Sequence, residues 1–366
     1  MRDIKEKNKY SVIDLVKLLL ILGVVSIHSN VLADVEDYPT VFGTQIEIYL
    51  STILTRICVP SFFIISGYLF FHNCHSFTSQ DYLRKLHRRI FTLLIPYLIW
   101  NVISLVLQLI KIRYLGFPSH GLIEEGSIEW SRVFAGFFNY VNGYPFAFAF
   151  WFIRNLMVFV VLSPIAYLLS QKKLMIGLLF LGMCSFFNHA LWGFSFFVIG
   201  GIIARYYDVL IFRLTTFPTA LFGLLWIGIS ISELYVDFNY FATFLLFVES
   251  VSALLFLITM MEHLKKSIEG PILRYIVPST FFIYAFHQLF CSVTRNFYIG
   301  IFGLDTTAGI LLSYLLSFIT LAGLSYVVWR MLSILSPRVA AFLCGNRGKA
   351  KAPDTIKRAG INVPTL

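Results

Sequence analysis

Apolar runs about as long as a bilayer is thick recur along almost the whole chain. A helix rising about 1.5 Å per residue needs roughly 20 residues to cross a hydrocarbon core of about 30 Å. Runs on this scale fall at approximately 11–32, 50–71, 90–110, 147–169, 173–187, 190–206, 215–232, 240–260, 276–296 and 306–328. With 58% of its 366 residues hydrophobic and 13% charged, the chain has more apolar surface than a soluble fold of this length can hide. The expectation is an all-α, polytopic membrane helical bundle of about ten transmembrane helices. Runs five and six are short and separated only by Asn188 and His189, so they read either as a tight helical pair or as one broken element.

The basic residues orient the bundle. Arg2, Lys5, Lys7 and Lys9 precede the first run, Arg84, Lys85, Arg88 and Arg89 follow the second, Lys172 and Lys173 follow the fourth, and Lys265, Lys266 and Arg274 follow the eighth. Alternate segments are acidic or nearly uncharged, with Asp34, Glu36, Asp37 and Glu47 in the first of them. The segment between the third and fourth runs is mixed. The positive-inside rule then predicts that both termini are cytoplasmic. The formal charge of +10 is spent on these short segments, so a nucleic-acid surface is not expected. Residues 1–330 read as one transmembrane domain and 331–366 as a flexible basic cytoplasmic tail near anionic lipid. The five cysteines form no CxxC pair and no zinc spacing, so no metal is predicted, and no cleavable signal peptide is expected.

Ionisable side chains inside such runs cost several kcal/mol, on the order of magnitude, unless they meet a partner or water, which makes each a functional candidate. In the first run Lys17 and His28 are eleven residues apart and return to nearly the same helix face, with Asp14 close to that stripe. Asp14 and Lys17 are spaced to pair; alternatively Lys17 attracts an anionic ligand. His28 has a reference pKa suited to proton transfer, with Ser26 and Ser29 available to orient it, or it simply reaches headgroups at the helix end. Arg56 brings a fixed charge to the same zone or snorkels to the outer surface.

Arg154 follows the interfacial Trp151, while Glu249 and His287 lie near the middle of their runs. A Glu249–His287 or Glu249–Arg154 pair would satisfy both members, and the sequence does not decide between them. The cluster Arg84, Lys85, Arg88 and Arg89, with His87, serves either as topology signal alone or as a docking surface for a phosphorylated donor.

These residues carry a resemblance. The Lys17 and His28 pair, RICVPSFFIISGYLFF from Arg56, the basic stretch before Pro96, WFIRNL at Trp151 and FFIYAFH ending at His287 occur in an order that resembles the membrane acyltransferase-3 family. Members of that family are integral membrane O-acyltransferases of bacterial surface glycans. The resemblance implies transfer of an acyl group, most often acetyl from acetyl-CoA or another acyl-CoA, to a hydroxyl of a surface polysaccharide or lipid-linked saccharide at the outer face. It implies catalytic roles for His28, Lys17 and Arg56, and donor contacts by Arg84, Lys85, Arg88 and Arg89. The family's arginine pair after the second span is matched inexactly. Asp14, Arg154, Glu249 and His287 are left as a substrate or structural polar network. A transporter or flippase of a lipid-linked sugar or small polar solute would use the same charges as a gated path.

Overall fold

The computed structural model describes residues 2–33, 35, 39, 41–72, 74, 77–124, 126–171, 189–214, 218–236, 242–268 and 275–345. Helix α1 (Arg2–His28) runs through the centre of the bundle. Val12, Leu15, Val16, Leu20, Val24 and Val25 are all buried along it. After a loop, α2 (Phe42–Ile48) passes through a π-helical turn, Tyr49–Ile53, into α3 (Cys58–Phe71), and the three together form one apolar crossing, Phe42–Phe71. A capping box of Thr78 and Asp81 starts α4 (Ser79–Arg89), which continues through a second π-helical turn, Ile90–Leu94, into α5 (Ile95–Leu115).

The segment that follows holds a two-residue hairpin, β1 (Ile123–Glu124) against β2 (Ser127–Ile128), antiparallel with Ile123 opposite Ile128, and then α6 (Trp130–Gly136). A 3-10 turn, Phe148–Phe150, leads into α7 (Trp151–Val161) and α8 (Ser163–Gln171), which meet at a bend of 68°. Pro164 explains the break, since its ring has no N–H to donate and collides with the preceding turn. Then come α9 (His189–Leu214), α10 (Thr219–Ser232) and α11 (Ala242–Ile268). The last part is interrupted: a 3-10 turn, Val277–Ser279, α12 (Thr280–Phe286), another 3-10 turn, His287–Leu289, and α13 (Cys291–Phe302). The long α14 (Thr307–Leu335) and the short α15 (Pro337–Leu343) follow.

The protein is thus an all-α membrane bundle with one small hairpin, but the span count differs from the expected ten. Among the described residues, four helices are long and apolar enough to cross a membrane: Phe42–Phe71, Ser79–Leu115, Phe244–Leu264 and Thr307–Leu335. A fifth is added if the bent pair Phe148–Val161 and Ser163–Gln171 is one crossing. The shortfall has local causes. Run one, on α1 with Asp14 and Lys17, is not among these helices, run five, 173–187, lies outside the described residues, runs six and seven are helices of fewer than 18 residues at Trp192–Tyr206 and Thr219–Ser232, and run nine is broken at Phe290. Exposed apolar rows fit a lipid-facing surface; Leu98, Val102, Val106 and Ile110 line α5, and Leu312, Leu315 and Ile319 line α14.

Close helix contact depends on glycine at one seam. A Cβ on Gly67 of α3 would lie 1.9 Å from the Phe197 carbonyl oxygen of α9, and one on Gly200 of α9 would lie 2.0 Å from that of Ile64. The two backbones therefore touch, the usual way membrane helices gain dispersion contact where lipid offers no hydrophobic drive between them. Gly67 thus permits the close approach of α9.

Candidate active site

His28 is the last residue of α1, partly buried, and its ring is held by two aromatic neighbours. Phe148 meets it edge-on at 4.8 Å between ring centres and 82°. His287 stacks on it at 5.3 Å and 27°. Two histidines 259 residues apart in a chain this apolar thus share one place, and His287 is wholly buried there.

Both neighbours are fixed by hydrogen bonds to backbone. Around His287, the ring Nδ1 lies 3.0 Å from the Ile283 carbonyl oxygen. Tyr284 Oη donates to the Ala149 carbonyl at 2.5 Å, and the Ala149 N–H donates to Gln288 Oε1 at 2.9 Å. From the other side, the Ala147 N–H donates to Oδ1 of the buried Asn101 on α5 at 3.0 Å. The turn that carries Phe148 is therefore clamped on both sides, which aims its ring at His28. Such a clamp fixes a side chain more accurately than loop packing alone.

The surround of His28 is polar at the same end of α1. Ser26 Oγ and Tyr314 Oη of α14 are 2.5 Å apart. Ser29 Oγ donates to the Val25 carbonyl at 2.7 Å, so Ser26 is engaged by α14 and Ser29 by α1 itself rather than by the imidazole. Glu47 on α2 is fully buried and accepts from the Val31 N–H at 3.2 Å. Arg295 on α13 donates to the Asn30 carbonyl at 3.1 Å and lies within electrostatic reach of both His28 and Glu47.

The other candidates fall elsewhere. Lys17 donates to Asp14 at 2.7 Å, the intrahelical pair that their spacing allows. Arg56 has its Nε 2.7 Å from Glu249 Oε2 and also pairs through Nη2 with Glu233. Glu249 therefore meets neither His287 nor Arg154. The tertiary packing of α11 on α3 brings it to Arg56 instead, and among the described residues no hydrogen bond joins Arg56 to His28. Arg154 donates to the carbonyls of Phe138 and Gly143, the latter at 2.8 Å, and holds the loop before α7.

In the basic cluster, Lys85 donates to the Phe70 carbonyl at the end of α3, and its ammonium sits 4.8 Å from the Phe70 ring centre. Arg89 lies over the same ring at 5.7 Å. Arg84, paired with Asp81, and Arg88 are exposed. Since α3 runs antiparallel to α1 from Cys58, which packs on Gly23, this cluster lies toward the Lys17 end of the bundle. Among the described residues no group of three or more His, Cys, Asp or Glu is gathered to hold a metal ion.

Sequence reasoning did not single out Tyr284, Gln288, Asn101, Tyr314 or Arg295, and counted Glu47 only as loop charge. Tyr284 and Gln288 flank His287 within the same polar interruption of an apolar run, which was a usable signal. Arg295 carried none, because it sits near a helix end where a basic residue is ordinary.

The family model described as an acyltransferase domain, Acyl_transf_3, matches residues 10–330, nearly nine-tenths of the chain. The chain belongs to that family. Among curated relatives, the succinoglycan biosynthesis protein ExoH of Rhizobium meliloti (strain 1021) is 31% identical over 165 residues, covering 44% of this chain and 43% of that protein. The alignment thus spans less than half the length of the relative. No solved structure matches the chain. The matched stretch contains the Lys17, Arg56, Trp151 and His287 blocks that carry the resemblance.

Proposed function

We propose that the protein is a membrane O-acyltransferase that moves an acyl group, acetyl as first choice, from cytoplasmic acyl-CoA to a hydroxyl of a cell-surface polysaccharide or related glycan. The single observation that carries this reading is the His28–His287 stack, which places two imidazoles together at a helix end in a chain of this family. The relative named for succinoglycan biosynthesis supports a glycan acceptor. The two histidines and the clamped turn fit acyl transfer better than a gated transport path.

In this reading both termini face the cytoplasm and His28 faces the outer side of the bacterial inner membrane. Arg84 and Arg88, exposed at the Lys17 end, meet the donor's phosphates, as fixed cations do for polyanions. Lys17 lines the way between, and Lys85 and Arg89 shape the cluster from its base. At the reacting end, His28 takes the proton of the acceptor hydroxyl as its oxygen attacks the thioester carbonyl. Arg295 supplies positive potential for the oxyanion that develops there. The C–S bond then breaks, and the proton passes from His28 to the departing thiolate.

The test uses the full-length protein in lipid nanodiscs with radiolabelled acetyl-CoA and the surface polysaccharide of the producing cell. Label should move to polysaccharide with release of one CoA thiol per acetyl, and His28→Ala should abolish transfer while still binding CoA. Wild-type turnover by the folded His28→Ala protein would remove His28 as the base. Absence of any transfer by wild type, with movement of a saccharide across sealed vesicles instead, would replace the enzyme by a transporter.

A further inference from the structure

Among the described residues, only one of the two ring nitrogens of His287 is hydrogen-bonded. The Ile283 carbonyl accepts and cannot donate, so the 3.0 Å contact fixes the proton on Nδ1 and leaves the lone pair of the neutral ring on Nε2. Nε2 has no hydrogen-bond partner among the described residues, although the whole side chain is buried. Buried acceptors are normally paired, and one left open at a functional site points to a group that arrives from outside the fold. The ring is not free to turn toward water. Its neighbours Tyr284 and Gln288 are both tied to Ala149, and its face is covered by His28.

We propose that His287 binds the acyl donor: Nε2 accepts a hydrogen bond from the amide N–H nearest the thioester of an acyl-CoA, which sets the acyl carbonyl beside His28. This rests on the acyl-CoA reading above and deepens it. The acceptor hydroxyl cannot fill the same role, because its one proton goes to His28, the more accessible of the two rings. The donor arm can. Its amide nitrogen is separated from the thioester carbon by a two-carbon link and the sulfur, a reach comparable with the 5.3 Å between the ring centres. No bond to Nε2 is made or broken. The hydroxyl oxygen joins the carbonyl carbon, sulfur leaves, the proton travels by way of His28 to the thiolate, and His287 ends as it began.

The full-length protein in nanodiscs is titrated with two probes, acetyl-CoA and an analogue whose terminal amide nitrogen is replaced by oxygen. Wild type should bind the analogue roughly fivefold more weakly, the size of one net hydrogen bond. His287→Phe keeps a ring against His28 and should bind both probes equally, at the analogue's level. His287→Gln restores a carbonyl acceptor and should regain part of the preference. Equal binding of the two probes by wild type overturns the inference without any variant, as does an unchanged preference in folded His287→Phe. Acetyl label bound covalently to His287 in the absence of glycan also overturns it. Failure of acetyl-CoA to bind wild type at all is a different result, and removes the acyl-CoA reading itself.

Discussion

Arg56 Nε donates to Glu249 Oε2 at 2.7 Å, joining the turn before α3 to the N-terminal part of α11. Glu249 is wholly buried, and the same guanidinium also holds Glu233, so one cation serves two carboxylates. A buried pair adds little net stability compared with apolar residues, but loss of one partner strands the other. Arg56→Ala should therefore destabilise the protein by about 3 kcal/mol, whereas Arg56→Met combined with Glu249→Met should recover most of that loss. Thermal unfolding in detergent micelles reads both. A single variant as stable as wild type would show that the contact is not made in the membrane.

The clamp on Ala149 yields a prediction about rate. Gln288→Leu removes the acceptor of the buried Ala149 N–H and loosens the turn that aims Phe148 at His28. Misplacement of a reacting group by about 1 Å costs on the order of a hundredfold, so kcat for acetyl transfer should fall at least tenfold on that scale. Binding of CoA should stay within about twofold, since the phosphates are met at the other end of the bundle. Steady-state kinetics with the KM for donor measured separately decides this. A raised KM with unchanged kcat would mean that the turn serves donor binding rather than geometry at His28.

Much of this arrangement was legible in the sequence, for identifiable reasons. Apolar composition is local information, so the membrane character and many helix positions could be read directly, while the number of helices long enough to cross could not. Asp14 and Lys17 pair as their helical spacing implies, because an i,i+3 contact is local. Glu249 shows the limit. Depth in the membrane marked it as needing a partner, but which of several cations it meets depends on how α11 packs against α3, and no local pattern encodes that. The stack of His28 on His287 is likewise tertiary, and only the two polar positions were visible beforehand. The broken ninth run was hidden by its own hydrophobicity, since Phe290 interrupts the helix without interrupting the apolar run.

The basic cluster separates into two kinds of cation. Lys85 caps the end of α3 through the Phe70 carbonyl and lies against the Phe70 ring, so Lys85→Met should lower stability by about 1 kcal/mol. Arg84 and Arg88 point to solvent, and Arg84→Gln with Arg88→Gln should leave unfolding unchanged but weaken CoA binding about tenfold at low salt. Isothermal titration at two ionic strengths checks the second half. An effect of the arginine pair that does not shrink with salt would place those residues in direct, desolvated contact instead.

The seam between α3 and α9 allows the sharpest structural test. An added methyl on Gly200 would sit 2.0 Å from the Ile64 oxygen and 2.5 Å from the Tyr68 nitrogen, and both are backbone atoms that cannot swing aside. Gly200→Ala must therefore push the two helices apart, at a cost of about 1–3 kcal/mol for overpacking. Because α3 also packs on α1 through Cys58 and Gly23, the shift should reach the helix that carries His28 and reduce transfer together with stability. Gly228 of α10 is the control, since nothing lies within 4 Å of its missing Cβ. Gly228→Ala should be neutral or stabilising by about 0.5 kcal/mol through helix propensity. Unfolding midpoints and transfer rates for the two variants, measured side by side, should diverge. If Gly200→Ala behaves like the control, α3 and α9 do not meet as closely as their glycines require.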